Sequence, residues 1–190
     1  MKSRLTKELL AKTSLELFKE QGYDNVSVQD ICDHLEITKP TFYRFVPGKE
    51  ALISLYYEGA DDHLRQQMAA YDIDGNYVEE AWVAFSCVIV RSKEIGHDLY
   101  TRYISNCLRV GHFFNEIAFR LEPEITEALK KAQLAGQISN LSNPTDLFKT
   151  LTQTCFGEGC CWGFGSGEFD PLESFRKKFD IILRTNTQTA

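Results

Sequence analysis

Long apolar runs are missing from this chain, and with them the means to cross a bilayer. No stretch of about eighteen uncharged apolar residues occurs, and Met1 to Leu10, which include Lys2, Arg4 and Lys7, hold no apolar stretch of the kind a secretory leader needs. No membrane partner and a cytoplasmic location are therefore expected. Proline and glycine are also scarce, at 5 and 12 residues, which leaves little of the sequence for extended disorder. Period-two runs of Val, Ile and Thr are absent, so strands are not expected, while apolar residues recur at helical spacing in nearly every segment. An excess of positive charge is lacking too. The formal net charge is −6, and residues 1–50 carry equal numbers of basic and acidic side chains, so the whole deficit lies in residues 51–190. Overall charge thus gives no support to nucleic-acid binding, but a local basic face is not excluded, because phosphate attraction depends on where charges sit.

Chemistry-bearing constellations are equally sparse. The 6 cysteines, Cys32, Cys87, Cys107, Cys155, Cys160 and Cys161, show no C-x-x-C pair, so no metal and no cofactor is expected. They read as small apolar side chains that stay reduced. There is no Gly-rich phosphate loop, paired-His motif or nucleophile–base set with a recognisable local signature, and the chain does not read as an enzyme.

The sequence predicts an all-α protein in two parts, residues 1–48 and 49–190. A first helix is expected over Lys2 to Gln21, ended by Gly22. Ser27 is placed to cap a second helix with Asp30 three positions on, and Thr38 to cap a third that carries Pro40 in its first turn. Phe42 and Phe45 would pack inward. A long fourth helix is expected over Lys49 to Tyr71, followed by helices at Tyr77 to Lys93, Asp98 to Arg109, Phe113 to Ala135, Thr145 to Gly163 and Pro171 to Arg184. Glu122-Pro123 would kink or divide the third of these.

Two short helices joined by three or four residues and braced by a preceding helix describe a helix-turn-helix, whose second helix can enter a DNA major groove. The residues sharpen the reading: Ser27-Val28-Gln29-Asp30-Ile31-Cys32, Thr38-Lys39-Pro40-Thr41-Phe42-Tyr43-Arg44-Phe45 and Lys49-Glu50-Ala51-Leu52 resemble the N-terminal domain of the TetR family of bacterial regulators over about residues 5–55. Three positions depart from the family pattern: Glu36 stands where glycine is favoured, Pro40 where glycine or a small residue is common, and Val46 where an aromatic is usual. The resemblance implies a homodimer, a larger ligand-binding and dimerisation domain, and repression of an operator relieved by a small molecule.

Chemistry assigns the contacts. Thr38, Lys39, Thr41 and Tyr43 place hydroxyl and ammonium groups at the start of the recognition helix, Arg44 offers a planar fork to guanine or to phosphate, and Pro40 can touch a thymine methyl. Lys49, Ser27 and Gln29 are expected to clamp phosphates on either side of the groove. In the larger part, Trp82, Phe85, Tyr100, Tyr103, Cys107, Phe113, Phe114 and Trp162 either fill a core or line a cavity for an apolar or aromatic effector. Phe148, Leu151, Phe156, Leu172, Phe175, Phe179 and Ile182, in the last two helices, occupy the dimerising place implied by the resemblance, and Gly157 and Gly159 would permit close helix approach across that interface. Gly163, Gly165 and Gly167 read as a loop. The alternatives are a protein-binding coactivator or adaptor on the same fold, which the neutral charge of residues 1–50 favours, and a small-molecule-binding helical protein without DNA activity.

Overall fold

The computed structural model describes residues 5–57, 61–110 and 120–185, and among them the secondary structure is helical apart from one isolated antiparallel bridge, Ile138 to Thr185. The described helices are α1 (Lys7–Gln21), α2 (Val28–His34), α3 (Lys39–Tyr43), α4 (Glu50–Tyr57), α5 (Asp61–Ile73), α6 (Tyr77–Ile95), α7 (His97–Val110), α8 (Glu122–Leu134), α9 (Pro144–Phe164) and α10 (Pro171–Leu183), with a 3-10 turn at Tyr23–Asn25. They form two compact units that meet between Glu58 and Gly59, later than the boundary expected at residue 48. The reason is α4: it packs on α1, and Leu52, Ile53 and Leu55 are buried within the first unit.

In that unit α1 starts at Lys7 rather than Lys2, because the Thr6 hydroxyl accepts from the Leu9 amide at 3.1 Å and so caps the helix there. Its apolar stripe, Leu10, Leu15, Leu17 and Phe18, is buried and is joined by Val26, Ile31, Phe42 and Val46. Val46 fills with an aliphatic side chain the place where the family pattern favours an aromatic one.

The second unit is organised around α6, which packs against α5, α7, α8, α9 and α10. Phe85 of α6 and Phe175 and Phe179 of α10 are fully buried together, with Phe85 and Phe175 ring centroids 5.6 Å apart. Phe148 of α9 and Ile125, Ala128 and Leu129 of α8 extend the core. The helical run expected over Phe113 to Ala135 is divided beside Pro123: residue 120 is helical, Leu121 is a turn, and α8 starts afresh at Glu122 with Pro123 in its first turn, where its missing N–H leaves no bond unmade. Thr185 is fastened: it bridges Ile138, its hydroxyl lies 3.2 Å from Asp180 Oδ1, and Asn140 donates to the Ile182 carbonyl at 2.6 Å. Phe113 and Phe114 lie outside the described residues.

Candidate nucleic-acid interface

The α2–α3 pair is built by local hydrogen bonds that the sequence encodes directly. Ser27 caps α2 through a full capping box: its hydroxyl accepts from the Asp30 amide at 3.2 Å while its own amide donates to Asp30 Oδ2 at 2.7 Å. Donation to Asp30 Oδ2 from the Ser27 hydroxyl, at 2.6 Å, and from the Ser27 amide holds the Asp30 carboxyl below the usual carboxylate range. Ile31 and Cys32 turn inward from this helix, and burial pushes the Cys32 thiol up.

The turn into α3 is a Schellman motif. The Ile37 amide donates to the Cys32 carbonyl at 2.9 Å and the Glu36 amide to the Asp33 carbonyl at 3.3 Å, which requires a left-handed residue between them. Glu36 takes that role at φ 52, an unfavourable conformation for a residue with a Cβ. The identical motif after α8, where the Gln137 amide reaches the Ala132 carbonyl, uses Gly136 at φ 68.

Thr38 then caps α3, its hydroxyl accepting from the Thr41 amide at 3.3 Å and lying 3.0 Å from the Thr41 hydroxyl. Phe42, with no exposed surface, anchors the helix to the unit. What remains outward is Thr38, Lys39, Pro40, Tyr43 and Arg44, with Tyr43 53% exposed and its ring edge-on to Phe42 at 5.3 Å. Thr41 and Phe45 are half-buried. Hydroxyls, one ammonium, one guanidinium and an exposed aromatic therefore share the outer face of a short, rigidly seated helix, a set suited to phosphate oxygens and base edges.

The three flanking residues are engaged differently from the sequence expectation. Gln29 is exposed but donates to Asp33 Oδ1 at 2.7 Å, and the Ser27 hydroxyl is committed to Asp30. Lys49 departs further. Its ammonium donates to the Tyr23 carbonyl at 2.9 Å and the Val26 carbonyl at 3.0 Å, and sits 4.2 Å from the Tyr23 ring centroid. Nothing in the sequence marks this engagement, because the acceptors are backbone carbonyls of a 3-10 turn more than twenty positions away.

In the second unit the expected effector residues divide into two groups. Trp82 and Phe85 belong to the closed aromatic core: Trp82 stacks on Phe175 at 5.9 Å and is covered by the Arg176 guanidinium, 4.8 Å from its centroid. Tyr100 and Trp162, with centroids 5.5 Å apart, instead border a cavity with Val88, Ser92, Cys155 and Glu158. That cavity measures only about 10 Å³, room for roughly one water. Burial pushes the Cys155 thiol up to about 12, and the buried Glu158 carboxylate is paired with Lys178 at 2.7 Å. Tyr103 is half-buried and Cys107 buried.

The expected interface residues need correction. Phe148, Leu151, Phe175 and Phe179 have no exposed surface within one chain, so they are core and have nothing left to offer a second copy. Phe156, Leu172 and Ile182 stay half-exposed. Gly159 and Gly163 serve close approach within the chain, not between chains. A Cβ on Gly159 would come within 2.9 Å of Tyr100 Cζ and one on Gly163 within 2.7 Å of Thr101 Oγ1, so both glycines seat α7 on α9. Gly163 lies inside α9, not in a loop. Among the described residues no group of three or more His, Cys, Asp or Glu side chains is arranged to hold a metal, and no helix is long and apolar enough to cross a membrane.

A small unit presenting α3 on its exposed face, in a chain that continues into a larger helical unit, defines a helix-turn-helix protein. Residues 10–55 match the family model described as bacterial regulatory proteins, tetR family. The chain is similar to the uncharacterized HTH-type transcriptional regulator YuxN of Bacillus subtilis, at 40% identity over 55 residues that cover 27% of this chain and 19% of that protein. It is also similar to the HTH-type transcriptional regulator TcmR of Streptomyces glaucescens, at 27% identity over 49% of this chain and 41% of the relative. The matched part thus spans less than half of these relatives' length. Among solved structures, FadR of Thermus thermophilus, a TetR family repressor in complex with lauroyl-CoA, shares the fold with a TM-score of 0.68 and 21% identity over 94% of this chain and 93% of that one. Residues 10–55 thus carry the helix-turn-helix domain that the model for bacterial regulatory proteins of the tetR family describes, and the larger unit shares the fold of such regulators.

Proposed function

We propose that this chain is a cytoplasmic transcriptional regulator that binds double-stranded operator DNA through α3 as a homodimer, represses, and is released by a small apolar or aromatic effector. The observation that carries the reading is the outward set Thr38, Lys39, Pro40, Tyr43 and Arg44 on a helix pinned by Phe42. Arg44 and Tyr43 are the base-edge readers in this reading, and Thr38, Thr41 and Lys39 the phosphate contacts. A two-fold dimer would present two copies of α3 about one DNA turn apart, matching a palindromic operator.

With the buried phenylalanines removed from consideration, the dimer contact falls to the outer faces of α9 and α10. Phe156, Leu172 and Ile182 are joined there by Phe164 and Ile181, which are 78% and 73% exposed. The effector site is proposed at the Tyr100–Trp162 cavity, whose small size means an effector must part α7 from α9 to enter. A ligand that binds only the parted state shifts the protein toward it, which is the requirement for release.

The test is binding of the full chain to duplex DNA from the region flanking its own gene, across a salt series. Sequence-specific, strongly salt-dependent binding that Tyr43→Ala/Arg44→Ala abolishes is the expected result. Equally poor binding by wild type and variant would favour the adaptor reading, which the balanced charge of residues 1–50 supports.

A further inference from the structure

We propose that Lys49 is a positioning residue for operator recognition, holding the turn from which α2 starts, and is not a phosphate ligand. The inference rests on the DNA-binding reading above. The Lys49 ammonium bonds both ends of the 3-10 turn, at the Tyr23 and Val26 carbonyls, and covers the Tyr23 ring. Tyr23 and Val26 are themselves buried, and Tyr23 packs on Phe18 of α1 at 4.8 Å. Val26 immediately precedes Ser27, whose capping box sets the first turn of α2. One side chain at the head of α4 thus fixes the path of the backbone into α2, and α2 carries the Schellman turn that aims α3.

The alternative, a phosphate contact, would require the ammonium to leave two carbonyl acceptors and an aromatic face, exposing buried carbonyls that have lost a charge-assisted bond. The two roles make different predictions about salt. A phosphate ligand contributes about 0.9 to the slope of log affinity against log salt, whereas a positioning residue changes affinity at every salt concentration alike.

The experiment measures fluorescence anisotropy of the labelled flanking duplex with wild type, Lys49→Met, Lys49→Arg and, as a phosphate-contact comparator, Lys39→Met over a potassium chloride series. Amide exchange is followed on the same proteins. Lys49→Met is expected to weaken binding about tenfold, the factor for loss of one charge-assisted bond, with the slope unchanged. Lys39→Met lowers the slope by about 0.9. The Val26 and Asp30 amides exchange faster in Lys49→Met while those in the middle of α1 do not, and Lys49→Arg recovers affinity. A slope reduced by about 0.9 in Lys49→Met with unaltered exchange would overturn the proposal in favour of a phosphate contact. A lower melting temperature with wild-type affinity would overturn it too, leaving Lys49 a mere brace. Failure of wild type to bind the duplex would instead sink the operator reading itself. Should Lys49→Met not fold, Lys49→Gln, which retains one donor group, decides by the same two readouts.

Discussion

Replacing Glu36 by glycine is expected to stabilise the protein, against the usual penalty for introducing glycine. The φ of 52 is imposed by the two Schellman bonds, so Glu36 has no local route out of the left-handed region. That conformation costs a residue with a Cβ roughly 1–2 kcal/mol. Glycine removes the term but returns about 0.4–1 kcal/mol through the greater freedom of the unfolded chain. The net gain is then about 0.5–1 kcal/mol, or a rise of about 1–4 °C in melting temperature for a chain of this size. Thermal unfolding followed by circular dichroism, with urea denaturation at fixed temperature, measures it. Glu36→Gln is the control, since it deletes the charge and keeps the Cβ, so it carries the loss of whatever the carboxylate engages and none of the relief of backbone strain. Asparagine, which tolerates the left-handed region, should fall between glycine and glutamine. Destabilisation by glycine, or equal stabilisation by glutamine, would refute the strain argument.

Further outcomes follow from the geometry already described. Ser27→Ala removes the hydroxyl arm of the capping box, leaving the amide arm to Asp30 Oδ2, and should lower stability by about 1 kcal/mol in urea titration, with a matching loss of amide protection in α2. Gly159→Ala drives a methyl into the Tyr100 ring and should cost about 1–3 kcal/mol; adding Tyr100→Leu should return part of it, which a double-mutant cycle would register. Glu80 is buried with Oε2 unpartnered, and burial, with Asp72 nearby, raises its carboxyl from 4.5 to about 7. A carboxyl with a raised folded-state pKa binds its proton more tightly folded than unfolded, so stability should fall as pH rises from about 4.5 to about 7. Glu80→Gln should therefore flatten that fall and be more stable than wild type by about 1–3 kcal/mol at pH 8, but not at pH 4. An unchanged pH profile of the melting temperature in Glu80→Gln would contradict this.

The helix-turn-helix was legible because its determinants are short-range. Ser27 with Asp30, Thr38 with Thr41 and Pro40 in a first turn are local caps, and the buried set Ile31, Cys32 and Phe42 follows helical spacing. What each apolar face meets was less legible. Periodicity marks Phe148, Leu151, Phe175 and Phe179 as inward-facing but does not say whether inward means this chain or its twin; α6 and α8 supply the answer by covering them. The same limit explains Gly159 and Gly163, whose partner α7 is distant in sequence, and Trp82, which the aromatic count grouped with Trp162 although the two sit in separate clusters. Lys49 carried a strong motif signal, and its carbonyl partners lie in a turn with no side-chain signature.

The separation of the two tryptophans has a practical side. The chain has 2 tryptophans in all, one in the α6–α10 core beneath Arg176 and one against Tyr100 at the cavity wall. Each is therefore an optical reporter for a different event. With Trp82→Phe, emission would come from Trp162 alone and would test the proposed parting of α7 from α9, compound by compound, without any knowledge of the operator. With Trp162→Phe, emission from Trp82 would follow unfolding of the core and stay blind to small ligands. The sequence thus carries its own pair of independent dyes for an effector screen.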